Sequence, residues 1–206
     1  MRRVLVLHAH PNPTRSRVNA EMAHAASGVD GVTVVDLYAS YPRYYVDIDS
    51  EQQRLVEHDV LVLQFPFYWY STPSIIKLWL DLVLEHGFAY GEGGHALEGK
   101  TLLVATSAGG AEDAYDPGGA NRFPIRTLLS PLEQTANLCG MRYVAPFVLF
   151  SSLRAAESIA LEEHLARYRE LLAAPVHDRV DLDQACAREL FLSAPFPSSD
   201  KVEAAT

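Results

Sequence analysis

Three short segments carry the side chains of this sequence that could bind and transform a small molecule. Each follows an apolar run that predicts a buried strand. The first segment contains His10 and then Ser16, Arg17, Val18 and Asn19; the second contains Phe67, Tyr68, Trp69 and Tyr70; the third contains Ser107, Ala108, Gly109 and Gly110, with Tyr115 beyond it. Because the carboxyl ends of parallel strands meet at one edge of an open sheet, we expect the three segments to form one site.

The first segment is typical of an anion-binding site at a helix N-terminus. Ser16 is a favoured N-cap residue, and a helix is predicted over 18–26. Free backbone N–H groups and the helix dipole attract an anion there. Ser16 and Asn19 add neutral donors, while Arg17 and His10 add positive charge, so we interpret the segment as a phosphate site. A capping serine beside a solvated arginine is the structural alternative.

No phosphate-binding fingerprint of another kind is present, because the sequence contains neither a P-loop motif nor the glycine pattern of dinucleotide-binding folds. His8 and His10 lie two residues apart, so on a strand both would face the same way. No Cys, Asp or Glu accompanies them at ligand spacing. We therefore predict no metal site.

The second segment combines aromatic side chains with a helix start. Ser71 and Thr72 are N-cap types, and Pro73 suits a first helical turn. Flat side chains beside free backbone amides favour a flat ligand with a polar edge. Packing of the same aromatics between sheet and helix is the alternative, and for Phe65 and Trp79 it is the interpretation we prefer.

The third segment allows backbone to approach a ligand closely. Gly109 and Gly110 lack a Cβ, and their N–H groups could stabilise negative charge on a reduced ring. Tyr115 supplies a phenol that could give or take a proton. An ordinary strand-to-helix turn would also use two glycines. Taken together, a phosphate site, a ring site and a glycine loop predict that the protein binds flavin mononucleotide.

The elements that must position these segments alternate between strand and helix. Strands are predicted at 4–7, 32–37, 59–65, 100–105 and 141–150, the last interrupted at Pro146; the main helices are predicted at 18–26, 51–57, from 73 onward, 124–138 and 155–173. This alternation predicts the α/β class, as a flavodoxin-like, five-stranded parallel sheet of order 2-1-3-4-5 with helices on both faces.

Length and charge limit the remaining possibilities. The chain has 206 residues and a net charge of −9, which excludes a general affinity for nucleic acid. No apolar run approaches the about 18 residues that a membrane-spanning helix needs. Cys139 and Cys186 have no metal or redox spacing, so we expect reduced thiols in a cytoplasmic protein.

The chain is predicted to form one flavin-binding domain over 1–175 with a C-terminal extension over 176–206. Within the extension, a short helix is predicted at 181–192 and a disordered tail from 193.

Several stretches resemble the flavodoxin-fold NAD(P)H–quinone oxidoreductase family: QFPFYWYSTPSIIKLWLDLV, EHGFAYG and ATSAGG. Others are similar to the bacterial ancillary flavoproteins of glutathione-regulated potassium-efflux systems: HPNPTRSRVN, LYASYPRYYVDID and HGFAYGEGGHALEGKTLL. The resemblance spans about residues 2–172, and its W-Y-S-x-P-x-x-x-K-x-W block is specific.

The resemblance implies an FMN or FAD enzyme that transfers hydride from NAD(P)H through the flavin to a quinone in a ping-pong cycle. It also implies a homodimer in which the partner subunit completes each site. It assigns the first segment to the flavin phosphate, the second to the ring, the third to the glycine loop and Tyr115 to hydride transfer. Three positions depart from the family: Asn121 replaces the histidine that accompanies that tyrosine, and Ser107 and Ala108 replace a Thr-Thr pair.

Other functions remain open at this stage. The chain could act as a regulatory subunit that attaches to a potassium-efflux antiporter at the inner face of the membrane. It could instead reduce nitro or azo compounds. A one-electron carrier is disfavoured by the aromatic segment and by the apolar helix at 74–84, which suits a dimer interface. The long first loop favours FMN over FAD, while the choice between NADH and NADPH and the acceptor are not determined.

Overall fold

A computed structural model of the chain describes residues 1–155, 159–177 and 179–191. Its centre is a parallel sheet in the predicted order 2-1-3-4-5. The strands are β1 (Val4–His8), β2 (Val32–Asp36), β3 (Val60–Pro66), β4 (Thr101–Ser107), β5 (Arg142–Tyr143) and β6 (Phe147–Leu149). The predicted flavodoxin-like fold is therefore confirmed.

Strands β1, β3 and β4 form the buried middle of the sheet. Val4 lies opposite Val32 on one side and Val60 on the other, and the β3–β4 pairing runs as far as Pro66 opposite Ser107. Every residue of these three strands is buried. A strand that is covered on both faces needs a continuous apolar run, and these runs made the three strands predictable from the sequence.

The predicted fifth strand is divided into two short pieces. Both β5 and β6 pair with β4, but Val144, Ala145 and Pro146 lie between them. Proline has no N–H to give to a neighbouring strand. The Ala145 N–H donates instead to the carbonyl oxygen of Ala185, outside the sheet.

Helices cover both faces of the sheet. They are α1 (Val18–Ser27), α2 (Leu37–Ser40), α3 (Ile48–Glu57), α4 (Ser74–Val83), α5 (Ile125–Leu128), α6 (Ser130–Leu138), α7 (Ser152–Ala155), α8 (Ile159–Val176) and α9 (Leu182–Ala187). Met22 of α1 and Tyr168 of α8 belong to one core. Leu55 of α3, Trp79 of α4 and Leu132 of α6 belong to the core on the other face.

Caps and prolines move several helix boundaries from their predicted places. Helix α3 begins at Ile48 rather than 51, because the Asp47 carboxylate accepts the Ser50 N–H at 3.1 Å. Helix α2 lies in a predicted loop and is capped by Asp36. The helix predicted at 124–138 is divided at Leu129.

The C-terminal helices also differ from prediction. Helix α8 continues past the predicted end at 173 to Val176 and includes Pro175. Both of these residues are buried, which offsets the hydrogen bond that the proline cannot make. Helix α9 is shorter than the helix predicted at 181–192, since it ends at Ala187. The tail predicted from 193 lies outside the described residues.

A buried carboxylate joins α3 to α4. Glu51 is fully buried and accepts hydrogen bonds from the Tyr41 hydroxyl at 2.5 Å and the Trp79 indole N–H at 2.9 Å, and it pairs with Arg54. A buried charge is tolerated only with such partners. Burial and the neighbouring Glu51 raise the pKa of Tyr41 to about 12. The cluster fixes the position of α4, whose N-terminus follows the aromatic segment.

None of the helices in the described part of the chain is both long enough and apolar enough to cross a membrane. Cys139 and Cys186 are both free thiols.

We expect His164 to make the fold sensitive to acid. The residue is 4% exposed, and its ring stacks on Phe147 with centroids 4.2 Å apart. Its Nε2 has no hydrogen-bond partner within residues 1–155, 159–177 and 179–191. Burial lowers the pKa of His164 from 6.5 to about 4. Between these two values the imidazole is therefore protonated in the unfolded chain and neutral in the folded chain. The stabilisation is complete above pH 6.5 and is lost as the pH falls toward 4, by about 3 kcal/mol.

The substitution His164→Leu should remove this loss, as measured by urea unfolding between pH 7 and 4. The exposed His95 provides the matched control. In His95→Leu the free energy of unfolding should depend on pH as it does in the unsubstituted chain. An unaltered pH profile in the His164 variant would show that other groups cause the acid sensitivity.

Candidate functional site

The three predicted segments meet at one cavity of about 690 Å³ at the carboxyl edge of the sheet. The predicted residues that line it are His10, Arg17, Val18, Asn19, Phe67, Tyr68, Trp69, Ser107 and Gly109. It is also lined by residues that the sequence did not single out: Thr14, Arg15, Pro66, Ser152 and Leu153. The remaining predicted residues lie beside or behind this lining: Ser16, Tyr70, Ala108, Gly110 and Tyr115.

The first loop contains a short 3₁₀ turn at Pro13–Arg15, and this turn changes the role of Ser16. The Ser16 N–H donates to the Pro13 carbonyl oxygen, and Arg17 occupies the N-cap position of α1 with helical backbone angles. Neither residue caps the helix through its side chain. The prediction of Ser16 as a cap was therefore wrong, and its hydroxyl remains available for another purpose.

Two buried oxygens near this end of the cavity have no hydrogen-bond partner among the residues that the structure describes. They are Ser16 Oγ and Asn19 Oδ1. The other side-chain atom of Asn19, Nδ2, donates to Ser107 Oγ at 2.8 Å and so joins the first and third segments. Because buried polar atoms are almost always paired, these two are best explained by a ligand. A hydroxyl donor suits a phosphate, and an amide oxygen suits a ligand hydroxyl, so the pair fits a phosphorylated polyol such as the FMN side chain.

The two histidines have separate partners. His10 Nδ1 accepts the Asn12 N–H at 3.1 Å, so its proton lies on Nε2, which donates to Tyr68 Oη at 3.2 Å. His8 Nδ1 accepts from Gln64 Nε2 at 3.0 Å. Burial lowers the pKa of both imidazoles. His10 is thus a neutral group, contrary to the positive charge predicted for it, and the cationic side chains lining the cavity are Arg15 and Arg17.

The aromatic segment forms a tight turn with unusual backbone angles. The Ser71 N–H donates to the Tyr68 carbonyl oxygen at 3.0 Å, and the two residues between them, Trp69 and Tyr70, have φ values of 51° and 62°. Bulky residues rarely adopt this left-handed region, which costs about 1–3 kcal/mol per residue. Trp69 is also 94% exposed at the mouth of the cavity. Strain combined with an exposed indole is typical of a binding site.

Neighbouring side chains hold this turn in place. The Tyr70 hydroxyl donates to Asn121 Oδ1 at 3.0 Å, and the Tyr70 ring lies edge-on to Phe67 with centroids 6.3 Å apart. Helix α4 follows with Pro73 at its N-cap position and no side-chain cap. The predicted capping by Ser71 or Thr72 was therefore wrong, since Pro73 already sets the direction of the chain.

The glycine loop is fixed by the segment that follows β6. The Ala108 N–H donates to the Leu149 carbonyl oxygen at 2.8 Å, and the Ser151 N–H donates to the Gly110 carbonyl oxygen at 2.8 Å. Ala108 is fully buried and its amide is used, so it supports the loop instead of lining the cavity. A Cβ on Gly109 would meet no atom within 4 Å, so the cavity approaches bare backbone there.

Tyr115 lies behind the glycine loop at the end of a 3₁₀ helix, Glu112–Tyr115. Its ring is 7% exposed and packs between Phe67 and Phe150, with centroid distances of 6.3 and 5.4 Å. A Cβ on Gly110 would lie 3.2 Å from this ring. Burial, and then the nearby Tyr70, raise the pKa of Tyr115, so its phenol keeps its proton at neutral pH.

Gln64 organises the floor of the site, although its place in the sequence gave it no predicted role there. Its Nε2 donates to the Asn19 carbonyl oxygen at 2.8 Å as well as to His8, and its Oε1 accepts from the Tyr168 hydroxyl at 3.1 Å. The available signal was a single amide inside the apolar run of β3. Ser152 and Leu153 gave no such signal, because they reach the cavity only through the path of the chain after β6.

Comparison with known proteins gives a consistent result. The family described as having a flavodoxin-like fold matches residues 2–172. The chain is 44% identical over 174 residues to the glutathione-regulated potassium-efflux system ancillary protein KefG of Pectobacterium carotovorum, covering 84% of this chain and 94% of that protein. It is 45% identical over 168 residues to general stress protein 14 of Bacillus subtilis, covering 81% and 96%.

Two solved structures are similar to most of the chain. General stress protein 14 of Treponema denticola, solved in complex with FMN, has a TM-score of 0.79 and 37% identity, and the match covers 84% of this chain and 98% of that one. An NADPH-quinone reductase from P. pentosaceus has a TM-score of 0.73 and 31% identity, with 82% and 96% covered. The chain therefore belongs to the flavodoxin-like family that includes quinone reductases and the ancillary proteins of glutathione-regulated potassium-efflux systems.

Proposed function

We propose that this protein is an FMN-dependent NAD(P)H:quinone oxidoreductase that works by two-electron, ping-pong hydride transfer. The observation that carries the proposal is a pair of buried oxygens that have no hydrogen-bond partner in the described part of the chain. Asn19 Oδ1 belongs to a residue that lines the cavity, as Gly109 does, and Ser16 Oγ lies beside this lining. The cavity of about 690 Å³ is within the usual range for ligand sites. The relative from T. denticola, solved with FMN, supports this choice of flavin.

Each part of the site has a distinct role in this proposal. Bound flavin supplies the hydride chemistry, and the protein supplies placement and electrostatics. Ser16 and Arg17 bind the phosphate, and the N–H of Gly109 faces the polar edge of the ring. Trp69, at the cavity mouth, covers the ring and limits the access of water. NAD(P)H and the quinone use the same open side in turn.

Tyr115 is proposed to hold the proton that a quinone oxygen needs on reduction. Its raised pKa keeps the phenol protonated above the pH at which an ordinary tyrosine ionises, near 10. Tyr115→Phe should therefore lower the quinone-reduction rate about 100-fold while FMN affinity stays unchanged. Stopped-flow measurement of the oxidative half-reaction separates this step from reduction by NAD(P)H.

The neighbouring Tyr70 provides the matched control for the phenol. Tyr70→Phe removes a hydroxyl that already donates to Asn121 and should slow the same half-reaction much less. Equal losses in the two variants would mean that the aromatic cluster matters for packing and that Tyr115 has no proton-transfer role.

The first experiment is direct. We expect the purified protein to show flavin absorbance, and mass analysis of the released cofactor to give FMN rather than FAD. Steady-state oxidation of NADH and NADPH with a quinone should then give parallel double-reciprocal lines. Colourless protein that does not take up added FMN would refute the proposal.

We also propose a homodimer. A second groove, of about 420 Å³, lies between α4 and α6, and its lining includes Leu80, Leu84 and Leu132. Leu138, on the same groove, is 60% exposed. An exposed apolar surface of this kind suits a subunit contact. Leu138→Glu should shift the protein to monomer in light scattering, whereas Val56→Glu, at an exposed position on α3, should not.

A regulatory role is the second candidate, because the KefG relatives are named as ancillary proteins of a potassium-efflux system. In that role the chain would attach to a membrane antiporter, and turnover would be secondary. Quinone turnover by the isolated protein would favour the enzyme. A reductase of nitro or azo compounds would share the flavin site, and a panel of acceptors distinguishes it.

A further inference from the structure

Residues 179–191 follow the open edge of the sheet along β5 and β6. The Ala145 N–H donates to the Ala185 carbonyl oxygen at 3.0 Å, and the Phe191 N–H donates to the Pro146 carbonyl oxygen at 2.9 Å. Phe191 forms a parallel bridge with Phe147 and is 1% exposed. Unpaired groups at the edge of a sheet thus gain partners from the chain itself, at the place where the fifth strand is interrupted.

A partly buried arginine anchors this segment from the other side. The Arg126 guanidinium donates to the carbonyl oxygen of Cys186 at 3.3 Å and to that of Arg188, and it pairs with Glu133 at 2.9 Å. Its side chain is only 17% exposed. Hydrogen bonds from a charged group are among the stronger ones in proteins, so this contact ties the segment to α5 and α6.

The strand that the segment covers also supports the candidate flavin site. Leu149, the last residue of β6, accepts the Ala108 N–H at 2.8 Å, and the Ser152 N–H donates to the Ala108 carbonyl oxygen at 3.0 Å. Ser151 makes the equivalent bond to Gly110. Strand β6 therefore lies between residues 179–191 and the glycine loop, and it is held from both sides.

The covering segment is absent from the matched part of the family. The family match ends at residue 172. The KefG relative and the B. subtilis relative are matched over 94% and 96% of their lengths, yet they account for only 84% and 81% of this chain. The segment therefore lies outside the range that the family model matches.

We propose that residues 179–191 are a clamp that sets how tightly the glycine loop holds the flavin ring. The inference rests on the proposed flavin site. By fixing β6, the segment keeps the Gly109 and Gly110 amides in one arrangement, so a preformed cradle meets the ring. The phosphate end depends on the first loop and α1, which this segment does not contact through any of the bonds above. The clamp should therefore act on the ring and leave phosphate binding unchanged.

Two truncated chains test the clamp. One ends at residue 191 and serves as the control, and the other ends at residue 177. Each apoprotein is titrated with FMN and with riboflavin, well below its unfolding temperature and with its fold checked by circular dichroism. We expect the shorter chain to bind both ligands about tenfold more weakly, by the same factor, and the control to match the full chain.

Two substitutions in the full chain keep the test independent of truncation. Phe191→Ala removes the buried ring at the sheet edge and should weaken both ligands in the same way. Arg142→Gln removes an ion pair of 3.1 Å between β5 and Asp183, which lies within the clamp segment. Because both side chains are exposed and exposed ion pairs contribute little, this variant should leave both affinities unchanged.

The outcomes separate the clamp from the proposed function. Unchanged affinity in both the shorter chain and the Phe191 variant, or a loss for FMN alone, would overturn the clamp while leaving the flavin site intact. Failure of the full chain to bind either ligand would overturn the proposed function and the clamp with it. A parallel loss for FMN and riboflavin, with the full chain binding both, supports the clamp.

Discussion

Replacing Gly109 with valine is expected to weaken flavin binding strongly without disturbing the fold. The position has no left-handed backbone angle, and a Cβ there would meet no protein atom within 4 Å. The added side chain therefore occupies only the cavity. Overpacking of this kind costs about 1–3 kcal/mol, so FMN affinity should fall about 10- to 100-fold. Flavin fluorescence titration measures the affinity, and urea unfolding measures the stability of the apoprotein.

Gly118 offers a matched control for this substitution. It too has open space around an added Cβ and an ordinary backbone angle, but it does not line the cavity. Gly118→Val should keep both stability and FMN affinity. If both valine variants bound FMN as well as the unchanged chain, the ring could not lie against the glycine loop.

The framework of the site was predictable because buried parallel strands leave a plain signal. The apolar runs of β1, β3 and β4 identified the buried strands, and the alternation of strands with helices indicated the sheet order, which brings three loops to one edge. The local backbone was not predictable in the same way. Ser16 has the composition of an N-cap, but the turn at Pro13–Arg15 uses its N–H and moves Arg17 to the cap position. A backbone hydrogen bond within a short 3₁₀ turn thus replaced the side-chain cap that residue type alone predicts.

Contacts between distant residues account for what the sequence did not reveal. In the sequence, Gln64 is a single amide residue in an apolar strand. In the structure, its side chain makes hydrogen bonds with His8, Asn19 and Tyr168, which are far apart in the chain. The left-handed turn at Trp69 contains no glycine or asparagine, the residues that usually indicate such a turn in a sequence. It is stabilised instead by the hydrogen bond from the Tyr70 hydroxyl to Asn121. In both cases a strained or polar arrangement lies at the candidate site, where local rules are expected to fail.

Ser16→Ala should change stability and binding in opposite directions. The Ser16 hydroxyl is buried without a partner, so its removal should raise the free energy of unfolding of the apoprotein by about 1 kcal/mol. A hydrogen bond to a charged group is worth about 1.5–3 kcal/mol, so FMN should bind about 10- to 100-fold more weakly. Riboflavin lacks the phosphate and should bind as before.

Comparing the two ligands shows whether this hydroxyl serves the phosphate. Ser27→Ala is the control for stability, because the Ser27 hydroxyl is exposed and already donates to the His24 carbonyl oxygen at 2.7 Å. It should not raise the free energy of unfolding or affect either ligand. An equal loss for riboflavin in the Ser16 variant would mean that Ser16 positions the ring end of the cavity. Weaker binding of FMN alone, together with a more stable apoprotein, is the result expected if the Ser16 hydroxyl serves the phosphate. Without ligand this buried hydroxyl is unpaired and destabilises the fold, whereas with FMN bound it donates a hydrogen bond.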